Sequence, residues 1–128
     1  MDIKERIAIE HKIARFLIRT MKKHGWLVYA VDDGEEFNRM SKEKEVLALV
    51  FDLDEVVIHF ENKALPIERV DGTMDCAGHG VKLVFGNDGY DLIADWSYSE
   101  DPKDNFNKIM EEEVGKYTDA IEEKVYRC

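Results

Sequence analysis

Val81-Lys82-Leu83-Val84-Phe85-Gly86-Asn87-Asp88-Gly89-Tyr90-Asp91-Leu92-Ile93-Ala94-Asp95-Trp96 is the stretch whose reading decides the fold. Two alternating runs flank a Gly-Asn-Asp-Gly turn, which is the signature of a β-hairpin. Asn87 and Asp88 suit the central positions of a type I turn, and Gly89 suits the left-handed residue that follows. Val81, Leu83 and Phe85 are expected to share one face with Tyr90, Leu92, Ala94 and Trp96 of the partner strand. Val84 and Ile93 then fall on the opposite face, together with Asp91 and Asp95.

Upstream of the hairpin, residues 55–60 alternate as another strand, with Val56, Ile58 and Phe60 on one side and Glu55, Val57 and His59 on the other. Residues 61–78 read as a long connection containing Pro66, Asp71-Gly72 and Gly78, with Ile67 and Val70 adding at most a short strand. A connection of that length in a compact domain is functional or partly structured. Residues 26–31 are rich in β-branched and aromatic side chains and read as a strand ended by Asp32-Asp33-Gly34. Residues 35–40 carry no clear pattern.

Three stretches have helical periodicity. Residues 3 to about 23 place Ile3, Ile7, Ala14, Leu17, Ile18 and Met21 on one stripe, with Lys22, Lys23 and His24 at the end favoured by the helix dipole and Gly25 as terminator. Ser41 is a suitable N-cap for a second helix reaching Val50 or Asp52. Asp101-Pro102 opens the last helix, whose stripe is Phe106, Met110, Val114, Tyr117, Ile121 and Val125. Gly115 interrupts it without an evident purpose. The element order α-β-α-β-β-β-α predicts an α+β domain spanning 1–128: a mainly antiparallel sheet of about four strands with helices packed on one face.

Composition narrows the function classes. The 128 residues include 18 basic and 28 acidic side chains, for a net charge of −10. Residues 1–24 hold seven basic and three acidic residues, which leaves 11 basic and 25 acidic in the rest. An acidic body opposes broad contact with nucleic-acid phosphates, although the first helix offers a local basic face through Arg15, Arg19, Lys22 and Lys23. Cys76 and Cys128 have no metal-ligand spacing and read as free thiols in a reducing cytoplasm. No apolar run approaches a membrane span, so no membrane contact is expected.

The candidate sites are weak. His59, Asp91 and Asp95, with Asp32, His79 and Asp88 nearby in pattern, are the set from which catalysis or a hard divalent cation would draw ligands. An ordinary polar sheet face gives the same alternation. Asp32-Asp33-Gly34 with Glu35 and Glu36 reads first as turn chemistry, as does Asp52-Leu53-Asp54-Glu55. Gly78-His79-Gly80 lacks the spacing of a phosphate loop. Cys76 with His79 is a thiol–base pair only if the two meet in space. Glu111, Glu112, Glu113, Glu122 and Glu123 give the last helix an acidic face. Trp26, Tyr90 and Trp96 read as packing before ligand contact.

The hairpin from Phe85 to Asp95, with residues 28–34, resembles short uncharacterised accessory proteins of phages and plasmids. The resemblance implies a mobile-element origin and carries over no catalytic residue. The leading expectation is a non-enzymatic accessory protein that binds another protein, in one form inhibiting a nucleic-acid-binding host protein, with no cofactor. The alternatives are a small metal-dependent hydrolase or nuclease using Asp91, Asp95 and His59 with Asp32, and a homodimer joined through Val57, Val84 and Ile93.

Overall fold

The computed structural model describes residues 2–127, with no side-chain description beyond residue 125. Cys128 lies outside the described residues. The chain runs α1 (Ile3–Lys23), β1 (Leu27–Asp32), β2 (Phe37–Arg39), α2 (Glu43–Val50), β3 (Glu55–Glu68), β4 (Met74–Val84) and β5 (Ile93–Trp96). One continuous last helix follows, built of α3 (Phe106–Ile109), a π turn (Met110–Val114) and α4 (Gly115–Arg127). The fold is α+β, as expected. All strand neighbours are antiparallel, in the order β2-β1-β3-β4-β5. The unpatterned residues 35–40 supply the fifth strand: Asn38 Nδ2 reaches the Val31 carbonyl and the Asp33 carboxylate, which pins this short edge to β1.

One core joins the inward sheet face to all the helices. Ile13, Ala14, Leu17, Ile18 and Met21 of α1 meet Val28, Val31, Val56, Ile58, Phe60, Val81 and Leu83 of the sheet. Val46, Leu47 and Val50 of α2 and Phe106, Ile109, Met110 and Val114 of the last helix complete it. α1 ends as expected. Gly25 takes φ 88°, and the Trp26 amide reaches back to the Met21 carbonyl at 2.9 Å, closing the last turn of the helix.

Four expectations need correction. The connection 61–78 is a ribbon: β3 runs on to Glu68, β4 begins at Met74, and only residues 69–73 turn. A bulge between Asn62 and Pro66 lodges the proline opposite Cys76 and breaks the alternation that would have revealed the strand. Ile93 also faces the other way. A bulge on β5 leaves Ala94 unpaired between Asp95↔Lys82 and Ile93↔Leu83, so Ile93 turns inward with Leu83 and packs on the core. Ser41 does not cap α2; Lys42 holds that position, with no side-chain cap bond. Asp101-Pro102 lies in a turn, and the last helix starts at Phe106, whose amide is taken by Asp104 Oδ1 at 2.9 Å.

The hairpin turn is wider than the sequence suggests. Its last pair is the Val84 amide to the Leu92 carbonyl, and the tight turn bond runs from the Leu92 amide to the Gly89 carbonyl. Tyr90 and Asp91, rather than Asn87 and Asp88, therefore occupy the centre. Gly86 and Gly89 both have positive φ. The turn docks on α1, where Glu10, only 2% exposed, accepts the Gly86 amide at 2.7 Å. Gly89 is buried against the same helix. A Cβ there would meet Ile9 Cγ2 at 3.1 Å and the Arg6 carbonyl at 3.3 Å.

Gly115 has a purpose too. A Cβ at this position would sit 3.1 Å from the Met110 carbonyl, which the π turn displaces. Replacing glycine by alanine in a helix interior normally stabilises by about 1 kcal/mol. Gly115→Ala is expected to fall short of that gain. Gly89→Ala is expected to cost more than about 1 kcal/mol, because the left-handed backbone and the packing on α1 both oppose a methyl group. Chemical denaturation of the two variants checks both signs.

Candidate functional site

His79 on β4 faces the core side and is 5% exposed. Its ring stacks on Phe106 at 4.2 Å between centroids and takes the edge of Trp26 at 5.1 Å. Nε2 lies 2.5 Å from Asp104 Oδ2, and Nδ1 lies 2.7 Å from the Ser97 carbonyl and 3.0 Å from Ser97 Oγ. Asp104 is itself buried and caps the last helix through its other oxygen. Around this centre, Trp26 Nε1 donates to Asn105 Oδ1 at 2.8 Å and Asn107 Nδ2 to the Ser99 carbonyl at 2.6 Å.

Serine, histidine and aspartate within hydrogen-bond reach are the parts of a nucleophilic triad. The proton positions do not support one. A carbonyl oxygen only accepts, so Nδ1 must donate to Ser97, and it has no lone pair left to take the hydroxyl proton. Nε2 is committed to the carboxylate. Ser97 Oγ in turn accepts the Gly80 amide at 3.0 Å. The cluster is a clamp: it fastens residues 97–107 to β4 and sets the start of the last helix. The single signal for it in the sequence was His79 itself, flanked by Gly78 and Gly80. Its partners, 18 and 25 residues away, carry no pattern.

The clamp is the floor of an open groove of about 480 Å³ between the β3–β4 ribbon and residues 97–104. Ile67 stands on the ribbon side and Tyr98 on the other, 42% and 68% exposed. Beyond the groove the ribbon tip presents Val70, fully exposed, and Met74, 64% exposed. The tip is braced by its own side chains. Gly72, at φ 85°, makes the turn; Asp71 Oδ1 accepts both the amide and the hydroxyl of Thr73; and Arg69 pairs with Asp75. These bonds to the ionised form hold the Asp71 and Asp75 carboxyls below their ordinary value of 3.8.

The outer sheet face carries no helix. Tyr29, Phe37 and His59 form an aromatic cluster there, with Phe37 and His59 centroids 4.9 Å apart. Gly80 allows it, since a Cβ would meet Val57 at 3.1 Å and His59 at 3.4 Å. Burial pushes His59 below its ordinary 6.5, against the opposing pull of Asp32.

The residues singled out for metal chemistry do not converge. Asp32 is close enough to His59 to act on its charge. Asp95 pairs across from Lys82 on β5, two strands from His59 and three from Asp32, so about 10 and 14 Å away on strand spacing alone. Asp91 sits in the hairpin turn, accepting the Asp88 amide at 3.1 Å. Among the described residues no group of three or more His, Cys, Asp or Glu side chains is placed to hold a metal ion. Asp32 and Asp33 bind the amides of Gly34, Glu35 and Glu36, which is turn chemistry. Cys76 and His79, three apart on a strand, point to opposite faces. The thiol lies 3.6 Å from Glu61, and burial followed by that carboxylate pushes its pKa up, away from a reactive thiolate. On α1, Arg19 pairs with Glu43 at 2.7 Å and Arg15 lies over the Phe51 ring. Trp26 is fully buried and Trp96 packs on the core.

No protein-family model, curated protein or solved structure matches the chain.

Two outcomes follow. His79→Ala leaves the Asp104 carboxylate buried without its partner and is expected to cost about 3–5 kcal/mol, read by denaturation. His59 and His11 both bind protons less readily in the folded chain than in the unfolded one, because burial disfavours their charged forms. Their contribution therefore holds above 6.5 and falls as pH drops below it, until the folded-state values are passed. A melting-temperature profile from pH 8 to pH 5 is expected to be shallower in His59→Gln.

Proposed function

We propose that this chain is a non-enzymatic protein-binding module that engages its partner through the β3–β4 ribbon and the adjoining groove. The observation that carries the reading is where the exposed apolar side chains lie. Ile67, Val70, Met74 and Tyr98 are half of the eight large hydrophobic residues exposed among the described ones, and they gather at the ribbon and the facing wall. Apolar side chains gathered at a braced ribbon end and its facing wall, with polar groups around them, are the composition of a contact patch. The committed hydrogen bonds of His79 and the scattered carboxylates speak against hydrolysis.

The partner is a protein with a basic surface. A net charge of −10 steers such a partner in and repels polyanions. A nucleic-acid-binding protein fits that description, since its phosphate-contacting surface is basic. A cytoplasmic setting and a phage or plasmid origin accord with the free Cys76 thiol and with the resemblance of the hairpin.

The test is affinity capture from the cells that make the protein, with the native chain and the double variant Val70→Glu, Met74→Glu side by side. Both side chains are exposed, so folding is expected to be unchanged. One specific protein retained by the native chain, released by high salt and absent from the variant supports the reading. Equal retention by both chains overturns it.

A further inference from the structure

The groove runs along an unfinished sheet edge. β5 pairs with β4 only over residues 81–84, and Ser97 makes the last contact, donating its amide to the Gly80 carbonyl at 3.0 Å. The chain then turns away toward Asp104. β4 continues for six more residues with β3 on one side and, among the described residues, no strand on the other.

The ladder says which groups that edge offers. In an antiparallel pair, the backbone groups of alternate residues point to the same neighbour. Val84 and Gly80 both turn their amides toward β5, to the Leu92 carbonyl and to Ser97 Oγ. Gly78, Cys76 and Met74 follow in the same phase, so their amides and carbonyls project from the open edge. Cys76 shows it directly, because its amide is taken by the side chain of Asp75, at 2.8 Å, rather than by β3.

We infer that the open edge of β4 at residues 74–78 receives an extended segment of the partner as an added strand, in line with β5. The inference rests on the protein-binding reading above and names its mode. Main-chain pairing supplies the affinity in such complexes, and side-chain pockets on alternate residues supply the preference. Ile67 and Tyr98 offer apolar contacts to one set of side chains. Glu100 and Asp101 stand on the same side of the edge as Ile67 and Tyr98 and suit a lysine or arginine beside those apolar contacts, whereas Asp75 is taken by Arg69. The occupant is therefore an extended segment that presents apolar and basic side chains by turns on this one side. Gly78 fits the role, since its exposed backbone has no side chain to hold an incoming strand away.

The experiment uses the full chain and two fluorescein-labelled octapeptides that repeat valine-serine-lysine-serine, one unmodified and one N-methylated at every second residue. Fluorescence anisotropy reads affinity, and amide hydrogen exchange of the chain reads the place. The expected result is binding of the unmodified peptide, about tenfold or more weaker binding of the methylated one, and slowed exchange at Gly78 and Met74. Absence of binding overturns the inference, as does equal binding of both peptides, or protection confined to other elements. A dimer of the chain alone with Gly78 already protected also overturns it, by making a second copy the occupant. The protein-binding reading is judged separately: if capture is lost in the Val70→Glu, Met74→Glu variant while the peptides fail, the reading stands and strand addition falls.

Discussion

The contact between His79 and Asp104 is the constraint on which the rest of this structure depends. Both groups are buried, and each satisfies more than one neighbour: the imidazole holds Ser97 as well as Asp104, and the carboxylate holds the Phe106 amide as well as the imidazole. A buried charge is tolerated only when paired and hydrogen-bonded. The pair therefore fixes three elements at once, namely the middle of β4, the exit of β5 and the start of the last helix. It also decides where β5 stops. Because Ser97 is turned to meet His79, the chain leaves the sheet there, and the remaining edge of β4 borders a groove.

The sheet divides labour between its faces and its ends. The inward face is continuous aliphatic and aromatic packing against three helices. The outward face has shorter-range order, with Tyr29 and His59 lying over the side-chain-free positions Gly78 and Gly80. Leu27 and Phe37 are half-exposed on its strands. Ile67, Val70 and Met74 gather at one end, on the ribbon, where β3 and β4 outrun their neighbours. A projecting two-stranded ribbon has few packing contacts to stabilise it, and the Arg69–Asp75 pair with the Asp71–Thr73 bonds takes that role at the tip.

Much of the architecture was legible in the sequence, and the reasons are physical. Period-two alternation around Gly86 to Gly89 reveals a hairpin because one face of each strand is buried. The stripe of α1 and the role of Gly25 are legible for the same kind of reason. What was hidden is equally specific. Pro66 follows a bulge, so the alternation that would mark residues 61–68 as strand is interrupted by the three unpaired positions 63–65. Ala94 is an extra residue in β5, and one extra residue reverses the facing of Ile93. The His79 cluster joins residues with no sequence spacing in common, so only the fold brings them together. Asp91, Asp95 and His59 had the reverse fate: their alternation was visible, but the order of the strands keeps them apart.

The short turn at residues 69–73 bears on how the chain reaches this state. The β3–β4 ladder is the longest in the sheet, and five residues close it. Loop closure that short is fast and entropically cheap, whereas β1 can join β3 only after β2 and α2 have been accommodated between them. The ribbon and the strands it continues therefore carry a low closure cost for their length. The segment that outruns the rest of the sheet is thus also one whose strands are cheap to bring together.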